Sequence, residues 1–168
     1  SNPSLAVGVS FNPVENQYQN HAPGARNSDI ATENYSGNIV INNANASVGY
    51  GSTWSAAGDI CMLAVDMDNN KFFIGKNGTW ADSDNPSSNT GGYDMSSVSG
   101  HSESQGIGFF SFGSTSGTYM NEFTVNFGNG YFGSAAVSSA GTNASGLGIF
   151  EYDVPTGFTA LCTKGLNE

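Results

Sequence analysis

The chain has 168 residues, which is enough for one domain with a hydrophobic core of its own. Charged residues make up 11% of it and aromatic residues 12%, a balance that argues against intrinsic disorder. The net charge of −10, with four scattered basic residues, excludes the basic surface that nucleic acids and anionic membranes attract.

The first part of the chain contains three short strand patterns. Residues 5–11 (LAVGVSF) predict an apolar strand. Residues 12–38 are rich in Asn, Pro and Gly, so we expect a loop with little regular structure there. Residues 39–41 (IVI) predict a second strand, and residues 46–50 a short third one.

The clearest pattern occupies residues 58–80. Residues 59–66 are apolar on both faces, which is typical of a strand in the middle of a packed sandwich. The dipeptide Asn-Asn at 69–70 predicts a two-residue turn into a partner strand at 71–75, since Asn tolerates positive φ. The dipeptide Asn-Gly at 77–78 is a strong signal for a second tight turn. The whole segment therefore predicts an antiparallel meander.

The second half of the chain alternates long loops with apolar strands. Residues 81–106 and 133–148 consist mostly of small and polar residues, so both are expected to be loops of more than usual length. Strands are predicted at 108–112, at 119–127, where apolar and polar residues alternate, and at 157–162.

Together these elements predict an all-β fold, a two-sheet antiparallel β-sandwich in which residues 1–168 form one domain. Cys61 and Cys162 lie inside apolar strand-like runs, and two buried thiols are favoured over a disulfide between them. The core should bury six residues almost completely: Leu63, Val65, Phe73, Phe112, Phe127 and Phe158.

Three segments carry a resemblance to a known family. Residues 58–80 contain the stretches GDI, AVDMDN and GKNGTW, residues 125–132 contain VNFG and YF, and residues 155–164 are PTGFTALCTK. In this order and spacing they resemble the SPRY domain, in the version found in large proteins of tailed phages. The resemblance implies a bent two-sheet sandwich of concanavalin-like architecture that binds partners through its loops.

The same resemblance predicts that an N-terminal strand is missing. The family opens with an aromatic strand around a Trp-Glu pair, and residues 5–11 look like the strand that follows it. We therefore expect the chain to be a segment of a longer protein, with the missing strand upstream of Ser1. The structure should then show a gap beside residues 5–11, or a strand of a neighbouring chain in that place.

Carboxylate pairs raise the alternative of a carbohydrate-active enzyme, a glycosidase of concanavalin-like architecture. On a strand, Glu151 and Asp153 would share one face, as the acids of sandwich glucanases do, but no third acid follows them. Asp66 and Asp68 form a similar pair, again without a third acid. The sequence therefore predicts no catalytic residue and no enzymatic activity.

Ligand-binding patterns are incomplete as well. The DxDxN pattern at residues 66–70 begins like a calcium loop, but Lys71 replaces the required Gly and Asn77 the bidentate Glu. The GxGxxG pattern at residues 128–133 has no helical pattern after it, so it does not predict a dinucleotide site. Two Cys and two His without metal-ligand spacing do not predict a zinc site. We expect no metal and no cofactor.

Candidate binding residues lie in the first long loop. Tyr93 stands next to a pair of glycines, so its ring is the best candidate for an exposed contact with a partner. His101 and Glu103 would lie on the same partner-facing surface. Trp80, by contrast, is expected to cover the edge of the sandwich.

These features favour a non-catalytic recognition or structural module of a phage virion protein, in a tail fibre or another appendage, at an extracellular location. The expected partners are a protein or glycan on the host cell surface, or neighbouring virion subunits, but no nucleic acid. A homo-oligomer stays open, as does a spacer role that merely extends a fibre. No apolar stretch approaches the ~18 residues of a membrane-spanning helix, so no membrane span is expected.

Overall fold

A computed structural model gives the fold of the chain. Its described residues fall into two compact units, one within Ser1–Asp84 and Gly91–Asn121, the other within Asn85–Thr90 and Glu122–Glu168. The single domain predicted for the whole chain stays a prediction. The structure describes residues 5–11, 24, 27–41, 44–46, 53–98, 108–114, 123–140 and 146–162.

The described residues contain β-strands and two 3₁₀ turns, Ala81–Ser83 and Pro86–Ser88. None of their helical turns is long and apolar enough to cross a membrane. The strands are, in chain order, β1 (Leu5–Ser10), β2 (Asp29–Glu33), β3 (Ile39–Ile41), β4 (Ala44–Ala46), β5 (Cys61–Asp66), β6 (Lys71–Lys76), β7 (Thr79–Trp80), β8 (Tyr93–Asp94), β9 (Phe109–Ser114), β10 (Tyr131–Phe132) and β11 (Ala135–Ala136).

The first sheet is antiparallel and has the strand order β4-β3-β2-β1-β9. Val9 of β1 lies opposite Ile30 of β2 on one side and opposite Phe110 of β9 on the other. The gap predicted beside residues 5–11 is therefore wrong, because β1 is paired along both edges. The strand expected upstream of Ser1 stays a prediction, but it could not pair with β1, because β2 and β9 occupy both edges of β1.

The strand β2 lies inside the segment 12–38, for which the sequence predicts a loop. That prediction is wrong for Asp29–Glu33, which pairs with β1 and with β3. The stretch DIATE has no long apolar run, and it pairs with β1, far upstream in the chain, as well as with the nearby β3. Pairing with them, rather than local sequence, makes it a strand.

The second sheet has the order β5-β6-β7, and β8 also pairs with β6. Lys76 lies opposite Thr79, so the predicted two-residue turn at 77–78 is confirmed. Its residues have φ values of 49° and 86°, as a type I′ turn requires. The other turn has four residues, 67–70, instead of the predicted two, because Asp66 lies opposite Lys71.

The two antiparallel sheets pack on one another, which confirms the predicted all-β, two-sheet sandwich. Both sheets contribute buried side chains to one hydrophobic cluster, called the core below. In each sheet these side chains alternate with residues of the opposite face, as the period of two requires. The members of the core are Val9, Phe11, Ile30, Ile39, Phe72, Ile74, Met95 and Val98.

One of the six predicted core residues is buried as completely as expected. Phe73, in the middle strand β6, is 0% exposed. In the same unit, Leu63 and Val65 of β5 and Phe112 of β9 are half-buried, because these strands lie at sheet edges among the described strands. Among the described strands β5 is thus an edge strand, although residues 59–66 are predicted to form a strand in the middle of a packed sandwich.

The second unit contains the antiparallel hairpin of β10 and β11. Strands are predicted at 119–127 and 157–162. These predictions are wrong for the residues that the structure describes, since residues 123–127 and 157–162 have no strand structure. Phe127 and Phe158, both predicted to be buried, are half-buried there.

A turn in the second unit is organised by the side chain of Asn126. Its Oδ1 accepts a hydrogen bond from the N–H of Gly128 at 2.8 Å, and its Nδ2 donates one to the carbonyl oxygen of Ile149 at 2.9 Å. The glycine-rich pattern at 128–133 continues into β10 and β11 instead of a helix. Its glycines therefore serve a turn, in agreement with the rejection of a dinucleotide site.

Candidate functional site

The structure describes one of the three candidate binding residues. Tyr93 lies in β8 opposite Phe72, and its half-buried side chain packs against the core. Part of the ring is thus used for packing. The sequence predicts an exposed ring because of the adjacent glycines, and in the structure less of the ring is available to a partner. His101 and Glu103 lie outside the described residues, so the surface that they would share with Tyr93 stays a prediction.

Residues 91–98, called the anchored loop below, include β8, and they are held against the second sheet by strand pairing and by buried side chains. Met95 and Val98 are 0% and 1% exposed and belong to the core. The N–H of Met95 donates to the carbonyl oxygen of Asn70 at 2.8 Å. The loop predicted over residues 81–106 is therefore partly ordered structure. Two apolar residues three apart among serines are too weak a pattern to indicate a core contribution.

Glycines bring the anchored loop close to its neighbours. Gly92 has a φ of 78°, and a Cβ atom there would lie 2.6 Å from Cε1 of Phe73. Gly91 has a φ of 73°, and a Cβ atom on it would overlap Oδ1 of Asp84. The glycine pair that suggests an exposed tyrosine in the sequence serves close packing in the structure.

Beside its buried anchors, Met95 and Val98, the loop exposes polar side chains. Asp94, Ser96 and Ser97 are exposed, and Oδ1 of Asp94 accepts the N–H of Ser96 at 2.8 Å. Residues 91–98 include no Lys, Arg or His, so this surface is acidic and polar. In the described ranges no group of three or more His, Cys, Asp or Glu is placed to hold a metal ion. The surface is suited to hydrogen bonding with a polar or cationic partner.

Trp80 is used for packing, as the sequence suggests. A Cβ atom on Gly75 would lie 2.6 Å from Cε of Met62 and 3.1 Å from Cε3 of Trp80, so both side chains cover this glycine. Trp80 is half-buried. The contact stabilises the hairpin of β6 and β7 and explains why this aromatic ring is not a free stacking platform.

Sequence reasoning missed a polar cluster around Asp59. Its carboxylate lies 3.1 Å from Nζ of Lys76 and accepts hydrogen bonds from Nδ2 of Asn77 at 3.0 Å and from the N–H of Ala56 at 2.9 Å. Burial acts to raise the pKa of Asp59, but these hydrogen bonds and the Lys76 charge outweigh it and lower the pKa. Asn77, singled out only as a turn residue, was the signal that could have pointed to this cluster.

Glu151 and Asp153, the first carboxylate pair of the glycosidase alternative, are not on a strand, since residues 151–153 have no strand structure. The Glu151 carboxylate accepts hydrogen bonds from the hydroxyl of Ser138 and, at 2.6 Å, from its backbone N–H. The hydroxyl and the N–H lower the pKa of Glu151. A lowered pKa favours the ionised form, which is the opposite of what a general acid needs. Glu151 thus has a structural role in holding Ser138.

The Asp66 carboxylate is occupied in the turn after β5. Its Oδ1 accepts the backbone N–H of Asn69 at 3.0 Å, and its Oδ2 accepts Nδ2 of the same residue at 2.8 Å. Both oxygens therefore stabilise the turn, in agreement with the preference for a turn over a calcium loop.

Both cysteines are free thiols, as predicted. Cys162 is 5% exposed. Cys61 is half-buried as a residue, and desolvation of its thiol raises the pKa to about 12. At neutral pH the Cys61 thiol is therefore protonated and acts as a packing group, not as a nucleophile.

No protein-family model matches this sequence, and no curated protein matches it. The SPRY resemblance accordingly rests on the three sequence segments described above.

Proposed function

We propose that this protein is a non-catalytic recognition module of the SPRY type, part of a tailed-phage virion protein such as a tail fibre. It binds a host surface, through a protein or a glycan, or a neighbouring virion protein. Three sequence segments with the order and spacing of the family support the assignment. The net charge of −10 supports a partner other than nucleic acid. The location in the virion, outside the cell, follows from the phage-type resemblance.

The observation that carries the proposal is the anchored loop. Met95 and Val98 are held in the core while Asp94, Ser96 and Ser97 are exposed beside them. A loop held in this way loses little conformational freedom when a partner binds, and that preorganisation favours affinity. Polar groups on a rigid scaffold are a common arrangement for recognition through loops.

Binding to host cells and to purified virion proteins tests the proposal, with two serine variants compared. Ser97→Arg places a bulky cation in the anchored loop, and we expect it to weaken binding about tenfold. Ser55→Arg makes the same change at another exposed serine and should bind like the wild type. Both variants should melt within a few degrees of the wild type, since exposed substitutions change stability little. Equal binding by the two variants would move the site away from this loop.

A structural spacer is the nearest alternative within the same proposal. A spacer extends the fibre and needs no ligand, so the intact chain would bind neither host cells nor virion proteins in the assay above. That result would replace recognition by a spacer role.

The glycosidase alternative has its own test. We expect no hydrolysis when the chain is incubated with a panel of polysaccharides, because Glu151 is ionised and bonded to Ser138. Hydrolysis that disappears in both Glu151→Ala and Asp153→Ala would overturn the non-catalytic assignment.

A further inference from the structure

The strand β5 lies at the edge of the second sheet. It pairs with β6 along one side, and within the described residues no strand pairs with its other side. Its sequence, CMLAVD, has no proline and no lysine, and its single charge is at the last position. Edge strands are usually protected by prolines, lysines or inward-pointing charges, and β5 has none of these devices.

The hydrogen-bond pattern shows which backbone groups face the open side. The N–H of Asn77 donates to the carbonyl oxygen of Ile60 at 3.0 Å, just before β5 begins. Bonded pairs recur every second residue in an antiparallel ladder, so Met62, Ala64 and Asp66 are the residues of β5 bonded to β6. The backbone groups of Cys61, Leu63 and Val65 therefore point to the open side. This edge offers three N–H donors and three carbonyl acceptors at the spacing of a strand.

The core is also incompletely covered along this edge. Leu63 lies opposite Ile74 and Val65 opposite Phe72, so these four side chains share the face that looks into the sandwich. Ile74 and Phe72 are buried, whereas Leu63 and Val65 pack against the core and are only half-buried. A neighbouring strand with apolar side chains on the same face would cover them.

We propose that the open edge of β5 accepts an extended strand from a partner protein, which pairs with Cys61, Leu63 and Val65 and covers the half-buried side chains of the core edge. The partner strand has apolar residues at alternate positions and is neutral or basic. We expect a neutral or basic partner strand because this chain has a net charge of −10 and repels acidic partners. The same repulsion disfavours a second copy of this chain at the edge. This site is separate from the anchored loop and does not depend on recognition through it.

Amide hydrogen exchange on the whole chain tests the pairing, with a synthetic peptide as the probe. The peptide has about seven residues, the length of a strand, with valine and threonine alternating between two terminal lysines. In the free protein the amides of Cys61, Leu63 and Val65 should exchange fast and those of Met62 and Ala64 slowly. Saturation with the peptide should slow the three fast amides about tenfold and leave the other two unchanged. The matched control is the same peptide with N-methylated amides on the pairing edge, which should give no protection.

Two substitutions at one position separate backbone pairing from side-chain packing. Leu63→Pro removes an outward N–H without breaking a bond to β6, and it should abolish peptide binding. Leu63→Val keeps the N–H and should bind the peptide within about twofold of the wild type. If Leu63→Pro does not fold, as shown by circular dichroism, the exchange pattern of the wild type decides alone.

Three outcomes would overturn the proposal. Slow exchange at Cys61, Leu63 and Val65 in the free monomer would show that the edge is already covered. Protection that depends on protein concentration, with a dimer in sedimentation, would make a second copy the occupant. Unchanged exchange in saturating peptide would exclude strand addition here. None of these results bears on binding through the anchored loop, which the Ser97→Arg variant tests.

Discussion

The ring of Phe73 lies directly against the backbone of Gly92, where a Cβ atom would come within 2.6 Å of Cε1 of the ring. Phe73 is 0% exposed, so its ring is enclosed by the protein. The contact connects β6 with the anchored loop, and it depends on a glycine because the φ of 78° also disfavours other residues.

Replacing this glycine should therefore weaken the fold. We expect Gly92→Ala to lower the free energy of unfolding by about 2–4 kcal/mol, from left-handed backbone strain and from overpacking against Phe73. Urea denaturation measures the change. Gly58→Ala is the matched control, since Gly58 has a φ of 89° and no atom within 4 Å of its Cβ position. It should lose about 1–2 kcal/mol. Equal losses would mean that the Phe73 contact is not tight.

The anchored loop should behave as part of the core. Met95→Ala removes a fully buried side chain and should cost about 2–5 kcal/mol of unfolding free energy. Ser96→Ala, next to it but exposed, should stay within about 0.5 kcal/mol of the wild type. Chemical denaturation of both variants checks this. A Met95→Ala variant as stable as Ser96→Ala would show that the loop is detached in solution.

Asp59 should make stability depend on pH. Its folded-state pKa lies below the usual 3.8, so its contribution is complete above that pH and is lost as the pH falls through the folded value. Asp59→Asn should therefore cost about 0.5–1 kcal/mol at neutral pH, because solvent screens the partly exposed pair with Lys76, and the difference from the wild type should shrink below pH 3.8. Urea midpoints measured from neutral pH to acid give the comparison. A difference that stays constant in acid would contradict an ionised Asp59. Asp68→Asn, at an exposed aspartate in the turn between β5 and β6, serves as the control.

A buried hydroxyl offers a stabilising substitution. Thr32 is 0% exposed, and its Oγ1 is one of the buried side-chain atoms without a hydrogen-bond partner in the described structure. Thr32→Val replaces the hydroxyl by a methyl group of similar shape and should raise the unfolding free energy by about 1 kcal/mol. Thr79→Val, at an exposed site, should change it by less than about 0.5 kcal/mol. Destabilisation by Thr32→Val would reveal a partner for the hydroxyl.

The Cys61 thiol should react slowly with alkylating reagents. With a pKa of about 12, very little of it is thiolate near neutral pH, and the thiolate is the reactive form. In a Cys162→Ser variant, iodoacetamide should label Cys61 slowly in the native protein and at the normal rate in denaturant. Mass spectrometry follows the label. Fast native labelling would place the thiol in water.

Turns and several strands could be predicted from local sequence. The turn at 77–78 depends on the φ preferences of its own residues, so the Asn-Gly dipeptide was sufficient. The strands β3 and β6 have continuous apolar runs and lie close to their predicted places. The candidate site was harder to predict from the sequence. Tyr93 is half-buried against the core, and the residues that it contacts there are not marked by any local sequence pattern.

The sequence by itself determined the fold class and the turn at 77–78, whereas the depth of each side chain was decided by the tertiary structure. Leu63 and Phe72 are both apolar residues of predicted strands, yet Phe72 is 0% exposed in the middle strand and Leu63 is half-buried at the edge. The same holds for Met95, which no periodic pattern indicates and which the core encloses completely. Burial depends on which strand acquires two neighbours, and those neighbours come from distant parts of the chain, as when β9 pairs with β1.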